Sequence, residues 1–252
     1  MTLTASPIGL QRIYHQHISG AAFTNAGAVA AWLGAAQGQD YLGTKWAFGL
    51  RLPGSTEADI DRAIAERRIV RTWALRGTLH VVAPADLHWL LGLIGPRLIA
   101  GNAGRYRQLE LDEATLTRST SLIAAALRDG QELTRSELFA LLQTSGISTA
   151  GQRGVYMLQR AALERLIAQG AMRGSETTFW ALAAGDTLPP DAAAAELARR
   201  YFTSHGPATV ADFVNWSGLT LTAARAALNA VKSKLADDTI SNQTYWRSPE
   251  AA

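Results

Sequence analysis

Thr134-Arg135-Ser136-Glu137-Leu138-Phe139-Ala140-Leu141-Leu142-Gln143-Thr144-Ser145-Gly146-Ile147 opens with a threonine three residues ahead of a glutamate, the spacing of a capping box. The hydroxyl accepts from the amide of the third residue while the carboxylate reaches back to the first. A short apolar helix over residues 138–143 is therefore expected, stopping at Ser145-Gly146-Ile147. A longer periodic segment follows over 152–168. Beyond it, Ala171-Met172-Arg173 and Thr178-Phe179-Trp180-Ala181 flank the polar turn Gly174-Ser175-Glu176 and read as a hairpin. Short helix, glycine turn, longer helix and hairpin describe a winged helix-turn-helix.

The pattern recurs downstream. Thr209-Val210-Ala211-Asp212 starts a short apolar segment that stops at Ser217-Gly218-Leu219. A helix over 222–235 follows, then Asp238-Thr239-Ile240, the turn Ser241-Asn242, and Thr244-Tyr245-Trp246. Residues 1–105 repeat it more loosely. Asn25 can cap an Ala-rich helix over 26–33, residues 34–40 form a turn, and 41–50 offer a second helix. An inserted helix is expected near 56–67. Then 70–75 and 78–83 make a hairpin around Arg76-Gly77, a two-residue turn suited to a primed geometry. Pro84 and Asp86 begin another helix through Leu93. The expected fold is mainly α with short β-hairpin wings (α+β), in three tandem winged helix-turn-helix units at 1–105, 106–186 and 187–252, with linkers near 101–107 and 185–190.

Of 252 residues, 48% are hydrophobic, and the mean hydropathy is zero, as in ordinary globular proteins. The formal charge is +3 with an isoelectric point near 9.4, and lysine occurs only at Lys45, Lys232 and Lys234. The basic surface is thus mostly arginine, whose planar fork suits bidentate contacts to phosphates and bases. The absence of cysteine excludes disulfides, thiolate catalysis and Cys-based metal sites. The histidines do not cluster at ligand spacing, so no metal and no cofactor are expected. The N-terminus lacks the basic and apolar regions of a secretory leader, and no apolar run is long enough for a membrane span. A cytoplasmic monomer is expected.

Lys45, Arg51, Arg71 and Arg76 in the first unit are candidate contacts to DNA. In the second, Arg153 and Arg160 lie seven apart on one helical face, placed on its exposed side. His80 stands on the hairpin beside Arg76 and is a further candidate, with a structural hydrogen bond as its alternative role. Gln37-Gly38-Gln39 places two uncharged amides one residue apart, ahead of this basic hairpin.

Gln37-Gly38-Gln39, Arg51 and Trp73-Ala74-Leu75-Arg76-Gly77-Thr78-Leu79-His80 together resemble the AlkZ/YcaQ-like bacterial DNA glycosylases, tandem winged-helix proteins. Tyr201-Phe202-Thr203-Ser204-His205-Gly206-Pro207-Ala208-Thr209, with Asp212-Phe213 and Trp216, resembles that family's third winged helix. The resemblance implies excision of alkylated bases from double-stranded DNA, including bulky N7-guanine adducts, with interstrand crosslink unhooking in some members. It implies a nucleoid-associated protein whose catalytic residues are Gln37 and Gln39. Gly38 stands where the family carries an aliphatic residue, and is expected to loosen the backbone between the amides. The family's C-terminal β-rich domain is expected to be absent.

The implied chemistry is coherent. Cleavage of an N-glycosidic bond passes through an oxocarbenium-like sugar. An N7-alkylated guanine already carries positive charge and leaves as a neutral base, so no acid is required. Two amides that stabilise the cation and orient water can act by position and electrostatics. Two other readings stay open: a non-catalytic winged-helix DNA-binding protein or transcriptional regulator, and a protein-interaction module.

Overall fold

The computed structural model describes residues 7–20 and 23–249. The first six residues, on which the reading of the N-terminus partly rests, lie outside these. After α1 (Pro7–His15), the first unit begins with α2 (Ala26–Leu33), started by the Asn25 side chain accepting from the Ala28 amide and stopped by Gly34 at φ 72°. A two-residue strand, β1 (Ala36–Gln37), leads to α3 (Tyr41–Gly49), whose N-cap is Asp40. Next comes α4 (Glu57–Ala65), opened by a Thr56/Asp59 capping box. The wing is β2 (Val70–Ala74) and β3 (Thr78–Val82).

The expected insertion at 56–67 is therefore the pre-wing helix of the unit. The hairpin also differs from expectation. Ala74 pairs with Thr78, so the loop is three residues, Leu75-Arg76-Gly77, with Leu75 and Gly77 at φ 39° and 82°. From here α5 (Leu87–Gly101) continues through Pro96, and α6 (Ala103–Gln108) follows almost at once. The linker expected at 101–107 is thus helical.

The second unit runs α7 (Glu113–Ala126), β4 (Glu132–Thr134), α8 (Arg135–Thr144), α9 (Arg153–Leu163), β5 (Ile167–Arg173) and β6 (Glu176–Ala181). The Thr134/Glu137 capping box forms as the spacing requires. Helix α9 ends earlier than residue 168: Arg165 turns to φ 64° and Ile167 already belongs to the wing. The third unit runs α10 (Pro190–His205), α11 (Val210–Ser217), α12 (Leu221–Val231), β7 (Ala236–Ile240) and β8 (Gln243–Arg247). Thr209 and Asp212 form its capping box, and Gly218 ends α11 at φ 74°.

In all three units, the residues just before the second helix pair with the second wing strand. Gln37 faces His80, Thr134 faces Thr178, and Ala208 bridges Trp246. The wings of units one and two join into one six-stranded sheet, ordered β1-β3-β2-β5-β6-β4. They meet where Arg71 of β2 faces Gln169 of β5. One apolar cluster, including Phe48, Ile60, Ile64 and Val81, fills the first unit, and another, including Leu138, Leu142 and Leu158, fills the second. A third cluster, including Val70, Leu90, Ile94, Phe202 and Phe213, ties both wings and α5 to the third unit. Burying such surface supplies the main favourable free energy of the fold.

Candidate active site

Gln37, Gly38 and Gln39 occupy the junction between β1 and α3. β1 pairs with β3, which sets Gln37 opposite His80. The Gly38 amide donates to the Leu79 carbonyl at 2.8 Å, and the Gly38 carbonyl accepts from Arg71 Nε at 2.8 Å. Gln39 Oε1 accepts from the Leu79 amide at 3.2 Å. Asp40 then caps α3 through the Leu42 amide. Both polar groups of Gly38 are thus engaged, which corrects the expectation of a loosened backbone. A Cβ on it would stand 3.2 Å from the His80 carbonyl carbon, a tight approach that β3 would have to relieve by a few tenths of an ångström. Gln37 and Gln39 are exposed, and Gly38 beneath them is buried.

Two titratable groups beside this junction have their titrations moved away from neutrality. His80 is buried, and its Nδ1 lies 2.9 Å from the Thr78 carbonyl oxygen. Burial holds its pKa below the ordinary imidazole value. The Tyr41 hydroxyl donates to Asp61 at 2.6 Å, and burial together with that bond pushes the phenol's pKa up.

The structure removes three arginines and one histidine from the candidate DNA surface. Arg51, 5% exposed, donates to the backbone carbonyls of Gln16 and Ala47. Arg71, 7% exposed, is bound to Gly38 and Gln169. Arg160 is buried, not on the exposed side of α9, because Glu113 and Glu164 both take its fork at 2.5 Å. Arg153 is half-buried and bridges to the carbonyls of Ser148, Leu109 and Glu110. Lys45 pairs with Asp61 at 2.7 Å and Glu57 at 3.4 Å. Arg76 is exposed, but its guanidinium donates to the Asn215 and Trp216 carbonyls and so holds the first wing to the third unit. His80 is likewise an interior residue.

Two residues escaped the sequence reading. A cleft of about 310 Å³ lies between the first two units, lined by Gln39, Arg71, Arg135 and Gln169 among others. Arg135 is exposed and has no ion pair among the described residues. It sits on the first turn of α8, and only the fold brings it beside Gln39. Among the described residues, no group of three or more acidic or histidine side chains is arranged to hold a metal, and no helix is long and apolar enough to cross a membrane.

Three helix–wing units in one chain, with an exposed amide pair held at a strand–helix junction, define a tandem winged-helix protein. The family model described as "DNA glycosylase AlkZ-like" matches residues 30–252. The chain belongs to this family. It is 28% identical over 197 residues to a protein of Streptomyces sahachiroi named interstrand DNA cross-link repair glycosylase, an alignment covering 69% of this chain and 49% of the relative. The chain thus spans about half the length of the curated relative it matches. The solved structure of Streptomyces sahachiroi DNA glycosylase AlkZ resembles it with a TM-score of 0.76 at 23% identity, covering 95% of this chain and 68% of that one. At that identity the likeness establishes the fold.

Proposed function

We propose that this protein hydrolyses the N-glycosidic bond of alkylated, cationic bases, of the N7-guanine type, in double-stranded DNA. The observation that carries the reading is the exposed Gln37/Gln39 pair on a backbone hydrogen-bonded at both polar groups of Gly38. Family membership supports it, and the name of the S. sahachiroi relative motivates including crosslinked guanines among the substrates.

Gln37 and Gln39 are the acting residues. The bond from the sugar C1′ to the base nitrogen breaks, and its electron pair neutralises the cationic base. One amide oxygen stabilises the sugar cation while the other holds water for attack at C1′. The proton of the attacking water passes to solvent. An amide oxygen has two acceptor sites, so Gln39 Oε1 can keep the Leu79 amide and still receive a water. Neutral bases, which leave poorly without protonation, are spared. DNA meets the protein along the cleft between the first two units, with Arg135 as a phosphate contact, and the protein acts as a monomer at the nucleoid.

Incubation with a duplex carrying one N7-methylguanine, followed by detection of free base, tests the reading. Base release is expected. Sequence-specific binding without release would favour a regulator instead.

A further inference from the structure

We infer that Arg71 is a positioning residue for the Gln37-Gly38-Gln39 segment, and that Gln169 of the second unit holds Arg71 in that role. The inference rests on the proposed excision reaction and extends its site into the second wing.

Arg71 lies within β2, a strand whose other residues are mostly buried, and it carries a permanent charge into the sheet. No carboxylate pairs with it among the described residues. Nε donates to the Gly38 carbonyl at 2.8 Å, Nη1 donates to Gln169 Oε1 at 2.7 Å, and the guanidinium lies 5.4 Å from the Tyr41 ring centre. Burial lowers its pKa, the mark of a charge held at a cost. A well-packed apolar side chain is often as stable as a buried charge, or more so. What the charge provides here is a hold on the carbonyl between the two glutamines. Gly38 has no side chain to restrict it, so its conformation depends on its two hydrogen bonds, one from β3 and one from Arg71.

Gln169 is the backbone partner of Arg71 across the β2–β5 junction and also its side-chain partner. The two residues are 98 apart in sequence. The join between the wings and the clamp on the amide segment are therefore one structure. A displacement of about 1 Å at a reacting centre can cost on the order of a hundredfold in rate.

Arg71→Met and Gln169→Met, singly and together, test the inference in the full chain. Single-turnover excision of N7-methylguanine should fall at least tenfold in Arg71→Met and less in Gln169→Met. The double variant should match Arg71→Met within about twofold, because Gln169 acts through Arg71. Duplex affinity should change little and its salt slope should not move, because the Arg71 donors are already taken by Gly38 and Gln169. The Gly38 amide, followed by hydrogen exchange, should exchange faster in both single variants. Normal excision by folded Arg71→Met, or a loss of affinity with a shallower salt slope, would overturn the inference; the latter would mark a phosphate contact. If Arg71→Met does not fold, Gln169→Met decides by the same readouts. Should the wild type release no base, the excision reading fails by itself. Gly38 exchange then still judges the clamp, and unchanged exchange in the variants refutes it.

Discussion

Gln39 Oε1 accepts a hydrogen bond from the Leu79 backbone amide at 3.2 Å. A side chain forty positions before Leu79 in the sequence is thereby oriented by the wing of its own unit. The contact fixes which end of the amide is oxygen, so in the proposed reaction the group would meet substrate in one orientation. Neither glutamine titrates, so the amide pair itself supplies no proton.

Excision should accordingly be insensitive to pH. His80 is held below its ordinary value of 6.5 by burial, and the Tyr41 phenol above 10.0 by burial and Asp61. Both titrations are thereby moved away from a window of about pH 7 to 9. Single-turnover rates on N7-methylguanine should be level across that window. A bell-shaped profile centred there would point to a general acid or base that this site lacks.

Gly95 is a packing requirement at the crossing of α5 and α9. A Cβ there would stand 2.6 Å from the Leu163 carbonyl oxygen, a backbone atom. Alanine is favoured over glycine within a helix by about 1 kcal/mol, but overpacking costs typically 1–3 kcal/mol. Gly95→Ala should lower stability by up to about 2 kcal/mol in urea unfolding. An increase would show that the two helices separate easily.

The parts legible in the sequence are those that a few neighbouring residues decide. Thr134 with Glu137 and Thr209 with Asp212 specify helix starts within four residues, and both boxes form. Ser241 and Asn242 tolerate the left-handed conformation, and both adopt positive φ in the third wing. The two residues of β1 have no period and read as part of a turn; pairing with β3, more than forty positions away, makes them a strand. Arg153 and Arg160 do share a spacing, but spacing does not reveal which side of a helix faces Glu113. Gln37 and Gln39 stood out through the family resemblance. Arg135 and Gln169 share a cleft with Gln39 only through the fold of the second unit.

Acid should weaken the third unit through His205. Its ring stacks on Tyr201 at 5.0 Å, and Ser204 Oγ lies 2.8 Å from Nδ1. Burial, and then the charges of Arg51 and Arg12, push its pKa down from 6.5 to about 4. Between those values the unfolded chain binds a proton that the folded chain refuses. Its contribution is fully present above pH 6.5 and is lost as pH falls toward 4. Urea midpoints at pH 7 and 4.5 should differ less in His205→Gln than in the wild type. An equal difference would assign acid sensitivity to other groups.

Arg135 should contribute to DNA affinity where the buried arginines do not. Removing one phosphate contact reduces the slope of log affinity against log salt by about one. Arg135→Ala should weaken duplex binding severalfold at low salt and flatten the slope by that amount. An unchanged slope would place the DNA elsewhere on the surface.

Base release by single-residue variants tests the central claim most directly. With a duplex carrying one N7-methylguanine, wild-type protein should liberate the base. Gln37→Ala and Gln39→Ala should each do so on the order of a hundredfold more slowly, by analogy with the loss of one oxyanion-hole donor. Gln37→Ala should melt near wild type, as exposed substitutions usually shift stability by about 0.5 kcal/mol or less. Gln39→Ala should melt slightly earlier because the Leu79 amide loses that acceptor. Duplex affinities should stay near wild type in both. Gln39→Asp should preserve or raise the rate, because a carboxylate stabilises a sugar cation more strongly than an amide. Alanine variants that melt early yet cleave at the wild-type rate per folded molecule would contradict the account, since the two glutamines would then be structural residues of a turn.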